Sequence, residues 1–244
     1  MSERFDVVGE VAAACRDRAQ AWRFLRGFAA AWSTPLTGDD GRYRDELAAA
    51  EQRLGTPLPE ALKEALALLG GREDLTSNQD CLLRPDQLHY DDTGRALVWR
   101  LENQGVARWG VPVEDLRLPD PPVIFQLDGT YSAPEPWRPF LDRFSVACVE
   151  MVLYEALFGS DGDDHDNREA GDADPGIIER RYTRLAVPDY PMWADPEGPP
   201  ARWFHGRDAL ICDHAGAWIW VRTRTPEALR AVRDTLPGDW HMQP

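Results

Sequence analysis

The stretch that most constrains the fold runs from Ala96 to Val111, ALVWRLENQGVARWGV. Val98–Glu102 and Val106–Val111 are rich in β-branched and aromatic residues, which suit the pleated surface of a strand. Between them stands Asn103-Gln104-Gly105. A short loop closing on glycine predicts a hairpin, because glycine accepts the positive φ that such a loop requires. Side chains alternate across a strand, so Leu97, Trp99 and Leu101 share one face and Val98, Arg100 and Glu102 the other. On the second strand Ala107, Trp109 and Val111 share a face. One Trp from each strand then points into the same core, which places this hairpin in the middle of a sheet.

The flanking sequence supplies helices. Phe5, Val8, Val11, Cys15, Ala19, Trp22, Phe28 and Trp32 recur at near-helical spacing, which predicts one amphipathic helix over residues 3–32. Pro35 closes it, and packing on its own domain is the reading preferred over a dimerisation role. A second helix is expected from about Tyr43 to Leu54, capped by Asp39 or Asp40 and stopped by Gly55. A third follows over Pro59–Leu69. Asp74–Asp80 reads as a polar loop, and the proline-dense Pro119–Pro139 as an extended connection along the sheet edge. Phe140–Phe158 carries the broadest apolar helical face, ended by Gly159. Glu179–Val187 is a candidate strand, and Pro188–Pro200 a proline-rich loop. Ala209–Cys212 and Ala217–Thr223 form a second hairpin. Thr225 then caps a short helix with Pro226 in its first turn.

Together these elements predict an α+β chain. A single mixed or antiparallel sheet carries helices packed on it, in a domain spanning 36–244. Residues 1–35 form an N-terminal helical extension.

Ser160–Gly176 stands apart. It holds Asp161, Asp163, Asp164, Asp166, Glu169, Asp172 and Asp174 against one arginine, −6 of the chain's net −15. With almost nothing apolar to bury, it is expected to be an exposed, mobile loop whose carboxylates meet a basic partner. The overall acidity also argues against nucleic acid as a ligand, since phosphate neutralisation needs clustered Lys and Arg. No run of about 18 apolar residues exists, which excludes a spanning helix. The first residues lack the basic-then-apolar pattern of a signal peptide. Four dispersed cysteines fit free thiols in a reducing compartment, so a cytoplasmic location is expected.

None of the motifs that carry chemistry is complete in this sequence. Counting an EF-hand from Asp161 places His165 fifth and Asp166 sixth, where an acidic or amide ligand and glycine are needed, and the calcium reading fails. His205, Cys212 and His214 lack the tight ligand pairs of a structural zinc site. No Gly-x-Ser-x-Gly elbow, phosphate-cradling loop or His-Glu-x-x-His occurs. The expectation is a non-enzymatic protein with no cofactor and no metal.

Several of these segments, in this order, resemble the SUKH superfamily, which includes the Smi/Knr family and many bacterial immunity proteins. The resemblance is carried by Leu54 and Gly55 with Leu58-Pro59, by residues 82–88, by Trp99 and Glu102-Asn103-Gln104-Gly105 with Trp109, and by Pro121-Pro122. It covers roughly residues 43–158. The resemblance implies an α+β domain in which these residues are structural. It also implies a cytoplasmic immunity protein that occludes a toxin, such as a basic nuclease domain. Two other readings are a regulatory scaffold of the Smi/Knr type and a hydrolase using scattered carboxylates.

Overall fold

The computed structural model describes residues 5–37, 43–128, 135–159 and 164–241. The α+β class is as the sequence predicts, but the described residues build two antiparallel sheets rather than one. Five helices come first: α1 (Val7–Ala14), α2 (Arg18–Trp32), α3 (Arg44–Leu54), α4 (Glu60–Leu69) and the single turn α5 (Glu73–Thr76). The first sheet contains β1 (Cys81–Leu82), β2 (His89–Tyr90), β3 (Ala96–Leu101), β4 (Ala107–Pro112), β5 (Val123–Leu127) and β6 (Arg138–Leu141). Its order is β1-β3-β4-β5-β6, with β2 also on β3. The helix α6 (Phe144–Ala156) follows. The second sheet comprises β7 (His165–Glu169), β8 (Thr183–Arg184), β9 (Tyr190–Met192), β10 (Asp195–Gly206), β11 (Ala209–His214) and β12 (Trp218–Thr223). Its order is β7-β12-β11-β10-β8, with β9 on β10. Helices α7 (Asp174–Arg181) and α8 (Pro226–Thr235) complete the fold.

The N-terminal amphipathic stretch is two helices, not one. Asp17 has an extended backbone and its carboxylate accepts from the Gln20 amide at 3.0 Å, so it starts a new helix instead of continuing the old one. Both helices pack on the body of the protein. Phe24, Leu25, Phe28 and Ala29 of α2 are fully buried in the main core against α6.

Helix α6 is the centre of the molecule. Every residue from Phe144 to Glu155 is buried. Trp99 of β3 packs on Phe144 with ring centroids 4.6 Å apart, and Tyr154 meets His214 of β11 at 5.7 Å. The helix begins later than the apolar pattern suggests, because Phe140 and Leu141 belong to β6. The second sheet sends Trp203, Leu210 and Cys212 into this main core. Its opposite face, with Ile211, Ile219 and Val221, closes a smaller core under Leu229, Val232 and Leu236 of α8.

Three further expectations are corrected. Glu179–Val187 is not a strand: α7 runs to Arg181, and only Thr183–Arg184 pairs with β10. Asp174-Pro175 opens that helix, with proline in its first turn where no amide is lost. The Pro188–Pro200 loop contains β9 and the first half of β10, a proline-tolerant edge pairing with a register shift between Asp195 and Pro200. Described residues 164–176 are not a mobile loop, since they contain β7, the edge strand of the second sheet, and the start of α7. Asp164 and Asp166 pair with Arg222 and Arg233 far along the chain, and Asp174 with Arg168 inside the segment. Residues 160–163, and with them Asp161 and Asp163, lie outside the described residues, as do Asp39 and Asp40.

One glycine fixes how the outer face of the first sheet is covered. A Cβ on Gly110 of β4 would stand 2.9 Å from the Ala96 Cβ and 3.0 Å from the Trp137 ring, which lies across the strand here. Gly110→Ala should therefore cost about 1–3 kcal/mol by overpacking. Chemical denaturation checks it, and an unchanged midpoint would mean that Trp137 is free to move away.

Candidate functional site

The site begins with one extra residue in β3. Val98 pairs with Gly110, and the next pair is Arg100 with Trp109, so Trp99 is inserted as a β-bulge. A bulge breaks the two-residue alternation and re-aims the side chain that follows it. Arg100 lies on the same face as its cross-strand partner Trp109, not on the opposite face from the core as strict alternation implies. Trp99 and Trp109 are both buried, as expected, but the bulge brings Arg100 inside with them. The guanidinium carbon sits 4.5 Å from the Trp109 ring centroid and 5.6 Å from that of Tyr154.

Three carboxylates meet this guanidinium. Asp80 Oδ2 accepts from Nη2 at 2.8 Å and Glu150 Oε2 from Nη1 at 2.9 Å, while Glu155 Oε1 stands 3.4 Å from Nη2. All four side chains are at most 3% exposed. Glu150 and Glu155 are inward-facing members of α6 and differ in task. Glu155 also accepts the backbone amides of Asn78, Gln79 and Asp80 at 2.7, 2.7 and 3.0 Å, which holds the bend that carries Asp80. Glu150 accepts from the Tyr190 hydroxyl, which itself accepts from the Trp203 indole at 2.8 Å. A continuous polar chain thus runs from the first sheet through α6 into the second.

Burial without enough countercharge sets the protonation states. Desolvation pushes Asp80 up to about 7 against the pull of Arg100, and Glu155 and Glu150 push it the same way. Desolvation likewise raises Glu150 despite its bond to Arg100. Desolvation opposes the charge on Arg100, but Asp80, Glu150 and Glu155 outweigh it and keep the guanidinium ionised. On the facing sheet, burial lowers His214 to about 4 although Asp213 resists, so this imidazole is neutral. A cavity of about 10 Å³ separates the two groups, bounded by Asp80, Arg100, Trp109, Tyr190, Trp193 and His214. That is room for one water molecule. Asp80 Oδ1, Arg100 Nε and the indole nitrogens of Trp109 and Trp193 have no protein partner. Chemically the cluster can hold and release a proton, and it has no space for a substrate.

The acidic positions divide. Asp166, 1% exposed, pairs with Arg233, whose Nε lies 2.8 Å from its carboxylate. Asp174 takes Arg168 at 2.7 Å and the Gly171 amide at 2.6 Å. Asp164 meets Arg222 at 3.1 Å. Only Glu169 and Asp172 are exposed among the described members of the set. The first two carboxylates are therefore turned inward and do not form a surface with the others.

The residues carrying the family resemblance do not gather at one place. Gly55, at φ 71°, stops α3, and the Leu58 amide bonds Glu51 at 2.9 Å ahead of Pro59 and α4. The Leu54 carbonyl accepts from Tyr90 at 3.3 Å. Glu102 ties the hairpin loop by accepting the amides of Gln104 and Val106 at 2.8 and 3.2 Å, beside exposed Asn103 and Gly105 at φ 75°. Pro121-Pro122 leads into β5. Trp99 and Trp109 adjoin the buried cluster, and buried Glu102 acts on Asp80 through its charge.

The sequence does not single out Asp80, Arg100, Glu150, Glu155 or Tyr190, and it offers His214 only as a rejected zinc ligand. Their signal was present, because two glutamates in the otherwise apolar run FSVACVEMVLYEA must be paired if that helix is buried. Among the described residues, no three or more His, Cys, Asp or Glu are grouped to hold a metal ion, and no helix is long and apolar enough to cross a membrane. All four cysteines are free, and burial pushes Cys148 and Cys212 up, away from the reactive thiolate. No protein-family model, curated protein or solved structure matches this chain.

Proposed function

We propose that this is a protein-binding module that works inside the cell and neutralises a basic partner by occlusion, as the resemblance to SUKH immunity proteins implies. The observation that carries this reading is the division of its carboxylates. Those arranged as if for chemistry are sealed around Arg100, beside a cavity the size of a water molecule. The rest leave a strongly acidic exterior on a chain of net charge −15. Exposed Asp45, Glu46, Glu73, Glu169 and Asp172 carry no ion pair with any described residue. Such a surface attracts a basic protein over a Debye length and speeds its capture. The nuclease domain of a toxin, with its cationic cleft, is a partner of this chemistry.

The test is co-expression with a basic toxin domain encoded beside this protein, followed by association kinetics on the purified pair. Growth should be rescued, and the association rate should fall at least tenfold between low and high salt. Absence of rescue, or a rate indifferent to salt, would reject the reading.

A further inference from the structure

We infer that the partner's docking point is the half-exposed ledge where the second sheet extends past the end of α6, and that an arginine-rich protein segment seats there. This inference rests on the proposed binding role and assigns it a face. On one side of β12 stand Trp218, Trp220 and Arg222, cross-strand from Glu169, Asn167 and His165 of edge strand β7. The same side of β11 carries His214, Cys212 and Leu210, all buried. Helix α6 ends at Ala156, and the Phe158 ring closes the core by packing 4.7 Å from Trp220. Beyond it the face is part-exposed among the described residues. Trp218 and Trp220 lie 6.1 Å apart, both part-exposed, and His241 borders Trp218 at 5.3 Å.

Charge complementarity identifies the occupant. Exposed Glu169 stands opposite Trp218, and exposed Asp172 follows three residues on. The basic groups of this region are already engaged: Arg222 pairs with Asp164 at 3.1 Å, and Arg168 pairs with Asp174 on the other face of the strand. Indole faces beside unpaired carboxylates suit a guanidinium, which stacks on the ring while its N–H groups reach the acids. Lysine, a compact and strongly hydrated charge, gains less from the rings. Part-buried Trp at an exposed site is also the residue type that anchors protein interfaces.

The probe is a nine-residue arginine peptide, with the lysine peptide of equal length beside it. Both are titrated calorimetrically into the intact protein at low salt. The arginine peptide should bind more tightly than the lysine peptide. Trp218→Leu should weaken it at least tenfold, and the surface pair Glu169→Gln/Asp172→Asn at least threefold. A charge-matched control, Asp92→Asn/Glu114→Gln, removes two acids at the opposite end of the β3–β4 pair from Arg100 and should change affinity less than twofold. Equal losses from the ledge pair and the control pair, or equal binding of the two peptides, would overturn the ledge while leaving an acidic binding protein in place. No binding of either peptide by the unaltered protein would reject the binding role itself.

Discussion

Arg100→Met should destabilise the protein by about 3–5 kcal/mol, because it strands three buried carboxylates without a cation. For a chain of this size that is a fall in melting temperature of about 6–20 °C. Asp80, Glu150 and Glu155 are each almost inaccessible to water and share this one guanidinium. Removing it leaves protonation as the main relief for Asp80 and Glu150, so the loss should be larger at pH 8 than at pH 5. Restoring Arg100 is not the only remedy. Adding Asp80→Asn and Glu150→Gln to Arg100→Met removes the stranded charge while Glu155 keeps its three backbone amides. That combination should recover most of the stability, as buried ion clusters often tolerate neutral replacement. Thermal melts of the single and combined variants check both steps. A single variant within about 1 kcal/mol of the parent would show that water reaches the carboxylates.

Asp80 and His214 should give opposite pH dependences, although they border the same cavity. Asp80 titrates near 7 in the fold and near 3.8 when unfolded. The native state therefore holds the extra proton between these values. The stability it contributes is fully present below about 3.8 and is lost as pH rises through 7. His214 titrates near 4 in the fold against 6.5 unfolded, so its contribution is present above 6.5 and is lost as pH falls through 4. Asp80→Asn should accordingly gain on the parent by a few kcal/mol as pH is raised from 4 to 8. His214→Gln should gain on the parent as pH is lowered from 7 to 4. Glu150, raised by the same burial, adds to the Asp80 trend in the parent and in the His214 variant. Urea unfolding of the three proteins at pH 4.5, 6 and 8 is the measurement. An Asp80→Asn difference constant across that range would show that this carboxyl titrates as in the unfolded chain.

What could be read from the sequence was what depends on local pattern. The hairpin around Asn103-Gln104-Gly105, the helices stopped at Gly55 and after Leu69, and the Thr225 cap with its 3.1 Å bond to Ala228 are set by neighbouring residues. The buried cluster was not legible because it depends on a broken pattern. Strict alternation sends Arg100 away from Trp99, and no local residue announces that Trp99 is inserted. The acidic segment misled for a different reason. Its like charge argues for a mobile loop only while its partners are unknown, and Arg233 lies 67 residues from Asp166. The same distance in sequence hid the second sheet, whose edge that segment forms.

Helix α6 has a consequence for how this protein must be made. It is buried along nearly its whole length, with α2 and Trp99 on some sides and His214 and Phe158 on others. Its last covering strands, β11 and β12, begin roughly fifty to sixty residues after it ends. At cellular synthesis rates of about 5–20 residues per second, the ribosome delivers them about 3–12 seconds later. For that interval an apolar helix, its Glu150 and Glu155 already matched by Arg100 of the earlier β3, waits without half of its walls. Folding is then governed by late, long-range closure rather than early local structure, a topology that slows folding. The nascent chain exposes that apolar helix for those seconds, so a translational pause after residue 159 should raise its aggregation more than a pause at any earlier strand.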